Sequence, residues 1–196
     1  DSDISLGEVH TLETARAASL ALNWCITPTK FGVTPDRLDM HHDLFNVLNG
    51  TLDLKTGKLS GHNPEDQLTK LANVKYDPKA KCPYWDNFVL KICCGDKGLA
   101  KFLQKAVGYS MTGYTSNHQL FYMYGKGMNG KSTFISTLQR IFGDYQTTTG
   151  YETFLDLQKS ASGTSENIVR LKGARLILSS ETAQGNLNEA TVKLMT

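Results

Sequence analysis

The sequence predicts an α/β chain: a mostly helical N-terminal module with a small β-hairpin, then a strand, a glycine loop and a helix. Three stretches predict it. Gly125-Lys126-Gly127-Met128-Asn129-Gly130-Lys131-Ser132 fits the pattern G-x-x-x-x-G-K-[ST]. Leu120-Phe121-Tyr122-Met123-Tyr124 before it is apolar and aromatic and reads as a buried strand. Residues 133–142 after it put Phe134, Ile135, Leu138, Ile141 and Phe142 at helical spacing. Upstream, Asn49-Gly50-Thr51-Leu52-Asp53-Leu54-Lys55-Thr56-Gly57-Lys58-Leu59 reads as a hairpin whose turn is Lys55-Thr56-Gly57-Lys58.

The glycine loop carries a specific chemistry. Glycines let the backbone curl until several N–H groups face one phosphate, and the helix start adds partial positive charge. Gly125, Lys126, Gly127, Met128, Asn129, Gly130, Lys131, Ser132 and Thr133 are therefore the expected nucleotide-binding residues. Lys131 is placed to reach the β- and γ-phosphates of ATP, and the Ser132 hydroxyl to take one Mg²⁺ position. A glycine-rich turn could match the pattern by chance, but both flanks weigh against that.

A second stretch completes the expectation. Ala174-Arg175-Leu176-Ile177-Leu178-Ser179-Ser180-Glu181 reads as an apolar strand ending in a carboxylate, some fifty residues after the loop. Such a strand delivers an acid beside Mg²⁺ and the attacking water. Ser180 precedes Glu181, so one acid stands where many such strands carry two. Glu181 is expected to orient water first and contact metal second, which makes Lys131 and Glu181 the candidate catalytic pair and Ser132 and Glu181 the candidate Mg²⁺ ligands.

Composition bounds the class. The chain has 196 residues, 20% of them charged, with a net charge of +2 that argues neither for nor against nucleic acid. No basic region followed by an apolar run opens the sequence, and no stretch approaches 18 apolar residues. An intracellular protein with no membrane span is expected. Cys25, Cys82, Cys93 and Cys94 show no paired C-x-x-C spacing, so they read as buried free thiols rather than a zinc site with His118.

In chain order, residues 6–26 read as a helix, stopped by the Pro28 and Pro35 region. His41-His42 reads as a solvated pair before a strand that includes Leu44-Phe45-Asn46-Val47-Leu48. Asn63-Pro64-Glu65-Asp66 resembles a helix or turn start. Trp85, Phe88, Val89 and Ile92 mark one helical stripe within residues 84–92, and residues 96–107 form another helix. On that second helix Lys97, Lys101 and Lys105 recur every four residues, as a solvated face does. Residues 108–114 read as a bend, residues 146–149 as a short strand and residues 166–171 as a short helix. The boundary between a linker domain (1–115) and the start of a nucleotide-binding domain (116–196) is expected near residue 115.

These residues, taken together, resemble a known family. Asn129-Gly130-Lys131-Ser132 and the strand ending Ser180-Glu181-Thr182 are similar to superfamily 3 helicases, in the phage/plasmid and poxvirus-type primase–helicase branch. The upstream run Asn49 through Gly57 and Tyr76-Asp77-Pro78-Lys79-Ala80-Lys81-Cys82-Pro83-Tyr84-Trp85 resembles the module preceding the helicase in that branch. Asn188-Glu189-Ala190 with Val192-Lys193-Leu194-Met195-Thr196 looks like the start of its DNA-contacting hairpin. The resemblance implies a modified, AAA+-like P-loop ATPase that works as a homo-hexameric ring on single-stranded DNA during replication. It implies the cytoplasm of a bacterial host or of a virus-infected cell. The family continues past the point matched by Thr196, so the sequence reads as a linker domain plus the first, incomplete half of the motor. In that fold the phosphate-loop strand lies between two later strands, so Leu120-Phe121-Tyr122-Met123-Tyr124 is expected to lack partners.

Two other readings compete with an ATP-driven DNA helicase core. A small-molecule P-loop kinase would need an arginine-rich lid after the carboxylate strand, and residues 182–196 contain no arginine. A non-catalytic nucleotide-binding or oligomerisation module is the other alternative.

Overall fold

The computed structural model describes residues 34–154, 171–180, 187–189, 192 and 193. The chain divides into two units, Asp1–Met40 and His41–Thr196. Of the first, the described residues hold a single 3-10 turn, Pro35–Arg37. The helix expected over residues 6–26 lies outside the described residues.

In the second unit, alternation decides the first sheet. Strand β1, Leu44–Val47, buries Phe45 and Val47 and leaves Leu44 and Asn46 half-buried, the period of a strand with one face inward. Gly50–Asp53 (β2) and Lys58–Ser60 (β3) complete an antiparallel sheet in the order β1-β2-β3. Phe45 pairs with Leu52, and Leu52 with Leu59. The expected hairpin is therefore present, with its turn at residues 54–57. The Asp53 carboxylate caps it, accepting from the amides of Lys55 and Thr56 and from the Thr56 hydroxyl. Those bonds, the hydroxyl foremost, hold Asp53 below its usual carboxylate range. Of the hairpin's leucines Leu52 is buried, while Leu48 and, on the edge strand β3, Leu59 are exposed.

The outer edge of β1 is closed by residues 71–74. The Ala72 amide donates to Asn46 O at 2.9 Å and the Leu48 amide to Val74 O at 2.9 Å. Just before this segment, Asn63 caps the 3-10 turn Pro64–Asp66, as its sequence suggested.

Three helices follow among the described residues. Helix α1 is Pro83–Ile92, and its Trp85, Phe88, Val89 and Ile92 pack on the core as the stripe predicted. Helix α2 is Lys97–Met111, started by Asp96, whose carboxylate accepts from the amides of Gly98 and Leu99. It runs through Gly108 to Met111, where a bend was expected. The reason is packing: Leu103, Val107 and Met111 form one stripe against the core, and that contact outweighs the modest cost of an interior glycine. Leu99 and Phe102 stay exposed, as do the three lysines.

Helix α3, Lys131–Phe142, is the beam of the unit. Phe134, Leu138 and Phe142 are buried along one face. The helix stops at Gly143, whose φ of 54° suits glycine, and a Cβ there would lie 2.5 Å from Leu71 O. The chain then makes the turn Gly143–Tyr145 and enters β4, Gln146–Thr148, which pairs in parallel with β5, Leu176–Leu178. Both short strands were expected.

One cluster joins these pieces. Tyr145 and Phe45 are 1% exposed and stack at 4.4 Å between ring centroids, with Phe142 edge-on to Phe45. Arg175, just before β5, places its guanidinium 4.7 Å from the Tyr145 ring centroid. Its Nη1 donates to Met111 O at 2.7 Å, and its Nη2 to Leu44 O at 2.8 Å and His41 O at 3.1 Å. Residues from both sides of position 115 thus share a single core.

The run Leu120-Phe121-Tyr122-Met123-Tyr124 belongs to neither described sheet, as expected, but it departs from the buried strand that its composition suggested. It forms no strand and is not buried; Tyr124 is 81% exposed. A strand needs partners for its N–H and C=O groups, and the described sheets, β1-β2-β3 and β4-β5, supply none alongside it. Phe121 rests edge-on against Phe102 of α2 instead.

Arg175→Met keeps the side chain's length and apolar stem while removing every hydrogen bond to the three carbonyls. It is expected to lower unfolding stability in urea by about 2–4 kcal/mol, since bonds from a charged donor are each worth ~1.5–3 kcal/mol and stranded carbonyls add to the loss. The exposed Lys172→Met is the control. Equal midpoints for the two variants would contradict the role given to Arg175.

Candidate nucleotide-binding loop

The loop between Tyr124 and α3 is built from backbone first. Gly130 is the N-cap of α3 and sits at φ 83°, ψ −1°, a left-handed conformation that costs glycine little. No side chain caps this helix end. The first helical bond runs from the Phe134 amide to Gly130 O at 2.9 Å, so the amides of Lys131, Ser132 and Thr133 form the open first turn. With the helix dipole, this is an end suited to negative charge.

Lys131 puts a full charge at the same place. It opens α3, and its side chain turns back into the loop rather than out to solvent. Nζ donates to Gly125 O at 2.9 Å, to Asn129 Oδ1 at 2.8 Å and to Lys126 O at 3.4 Å. The ammonium is therefore encircled by the loop that the sequence pattern singled out. Ser132 and Thr133 are exposed on the first turn, and Lys126, Gly127 and Met128 are exposed on the loop's outer side. The expected loop residues, from Gly125 to Thr133, are thus gathered around one ammonium and one helix start.

The other half of the expected site is described only in part. Strand β5 covers Leu176–Leu178, and Ser179 and Ser180 follow it, exposed. Glu181 lies outside the described residues, as do residues 166–170, most of the short helix expected over 166–171.

The wall behind the loop was not foreseen. A Cβ on Gly130 would meet Ile92 Cγ2 at 2.5 Å and Phe88 Cε2 at 3.3 Å. Both residues belong to α1, which also stacks Trp85 on Phe134 of α3 with centroids 5.5 Å apart. The stripe of α1 was legible as a core face, but periodicity says nothing about which surface a face meets.

The remaining candidates resolve simply. His41 and His42 are exposed, and His42 tilts against Tyr114 at 5.3 Å. Next to it, Asp43 takes a hydrogen bond from Lys55 and another from Tyr114, and these hold its carboxylate below the usual range. Among the described residues no group of three His, Cys, Asp or Glu side chains is placed to hold a metal ion. Cys82, Cys93 and Cys94 are free thiols, but only Cys93 is buried, and burial pushes its thiol up. Cys82 and Cys94, before and after α1, are exposed, which corrects the expectation that they are buried, and Cys25 lies outside the described residues. No helix among the described residues is long and apolar enough to cross a membrane.

Comparison with known proteins adds one finding. No curated protein matches the chain. Residues 9–94, a little under half of it, match the family D5_N, described as D5 N terminal like. The match spans the hairpin sheet and α1 and ends before the loop. This part of the chain is similar to the N-terminal domain of D5-like primase-helicase proteins, which act in DNA replication.

Proposed function

We propose that the chain is the ATP-binding core segment of a D5-like primase–helicase, which couples ATP hydrolysis to movement on single-stranded DNA as a homo-hexamer in the full-length protein. The observation that carries this is Lys131, its ammonium ringed by Gly125 O, Lys126 O and Asn129 Oδ1 at the uncapped start of α3. The similarity of residues 9–94 to a primase–helicase domain supports it from separate residues. The parallel pairing of β4 with β5 supports an α/β, AAA+-like P-loop domain over the C-terminal part.

The roles follow from position. The amides of residues 126–133 hold the phosphate oxygens of ATP, and Lys131 moves from carbonyl acceptors to the more strongly charged β- and γ-phosphates. Ser132, on the exposed first turn, offers a hard oxygen that fits Mg²⁺. Mg²⁺ held there would supply positive charge to offset that of the phosphates. Glu181, beyond the end of β5, takes a proton from the attacking water and orients it.

Lys131→Ala is expected to weaken ATP–Mg²⁺ binding by about 100-fold in calorimetry, the equivalent of losing charge-assisted bonds worth roughly 3 kcal/mol. The fold is expected to survive, because the side chain contacts loop carbonyls rather than core. Unchanged affinity would refute the loop assignment.

Glu181→Gln separates binding from chemistry. In an ATP-hydrolysing form of the protein it is expected to keep ATP affinity and lose about 10²–10⁴-fold in turnover. Hydrolysis within tenfold of the wild type would move the role to another acid, with Glu189 the nearest in sequence.

A further inference from the structure

Gly130 is the point where the phosphate loop touches the part of the chain that resembles D5_N. The loop does not stand free above α3. Its N-cap glycine is pressed against the last turn of α1, where Ile92 Cγ2 and the Phe88 ring fill the space a Cβ would need. Both side chains are half-buried and pack against the core cluster that includes Phe134 of α3. Trp85, one turn earlier, stacks on Phe134 at an interplanar angle of 13°. Helix α1 thus braces α3 at two places: beside its first turn through Trp85, and at its cap through Phe88 and Ile92. Its end is itself fixed, with Gly95 N bonded to Leu90 O at 2.9 Å and Cys93 buried beneath.

From this we infer that Phe88 and Ile92 are positioning residues for the nucleotide phosphates, so that the D5_N-like segment forms the back wall of the site. The inference rests on the reading of the loop as an ATP site. The physical argument concerns preorganisation. A phosphate is held by several amides only if their directions converge, and those directions are set by φ and ψ at Gly130 and its neighbours. Gly130 at φ 83° has access to a wide range of conformations, and the wall formed by Ile92 and Phe88 selects one of them. Removing the wall leaves the amides present but no longer held in register, and the ligand must then order them on binding. Coupling of this kind is reciprocal: bound nucleotide must also steady the end of α1.

A double-mutant cycle on the 196-residue chain tests it. Ile92→Ala is expected to weaken ATP–Mg²⁺ binding about 10-fold by calorimetry. Gly130→Ala is expected to weaken it more, through the clash with Ile92 and the strained backbone. In the double variant the added methyl finds room, so Gly130→Ala costs several-fold less affinity there than in the wild type. Leu103→Ala on α2, which packs on the same core but not on the loop, is expected to bind ATP–Mg²⁺ as the wild type does despite a similar loss in melting temperature. Phe88→Leu, a milder change, gives a second arm should Ile92→Ala unfold, with an expected loss of about 3-fold. Hydrogen exchange at the amides of residues 88–93 is expected to slow when ATP–Mg²⁺ is added. Wild-type affinity in both Ile92→Ala and Phe88→Leu, or additive losses in the cycle, would overturn the inference while leaving the ATP site in place. Absence of ATP binding in the wild type would overturn both.

Discussion

The guanidinium of Arg175 over Tyr145, with Tyr145 stacked on Phe45, is the arrangement on which the unit depends. Each member ties a different piece of chain. Phe45 brings in the hairpin sheet and Tyr145 the end of α3. Arg175 brings in β5, the last turn of α2 and the approach to β1. Tyr145 adds one further tie, accepting from the Asn46 amide at 3.0 Å through its hydroxyl. A cation among aromatic rings is stable here because its N–H groups meet carbonyl oxygens at hydrogen-bonding distance, so the cost of taking charge from water is offset by directed bonds. Sequence-distant pieces are locked at one place, and α3 is held at its C-terminal end.

Helix α3 then transmits that order to the loop. Its C-terminal end is fixed by Gly143 against Leu71, its middle by Leu138, and its start by Phe134 stacked on Trp85. Lys131 and the open amides occupy its N-terminal end, where Ser132 and Thr133 are exposed. A site for a highly charged ligand needs such an asymmetry: donors free to turn toward the ligand, on a support that does not move when they do. The loop's outer residues, with Met128 fully exposed, carry no part of that support.

Much of this was legible, and for identifiable reasons. The hairpin was legible because Asn49-Gly50 and the Lys55-Thr56-Gly57-Lys58 turn punctuate alternating residues. Helices α1 and α3 were legible because their apolar residues keep a 3.6-residue period, and the start of α2 because Asp96 is a strong cap. The loop's place at the start of α3 was legible because glycines and one lysine set its backbone there. What stayed hidden depends on neighbours. The run from Leu120 to Tyr124 has the composition of a buried strand, and its absence from the described sheets was expected; what composition did not tell is that the segment gives up strand form and burial altogether. Gly108 marked a bend until the contacts of Val107 and Met111 are counted. Arg175 read as part of the strand run over residues 174–181, and nothing local reveals that it stands before β5 and reaches Met111 and Leu44. The wall formed by Ile92 and Phe88 was hidden for the same reason.

The central claim is that the loop around Lys131 is where the phosphates bind, and backbone amide chemical shifts read it residue by residue. In a titration of isotope-labelled protein with ATP–Mg²⁺, the account predicts the largest changes at the amides of residues 126–133, saturating together with one affinity. It predicts smaller changes at residues 88–92, and none at the exposed lysine face of α2. Changes centred on Lys97, Lys101 and Lys105, with the loop amides unmoved, would contradict it.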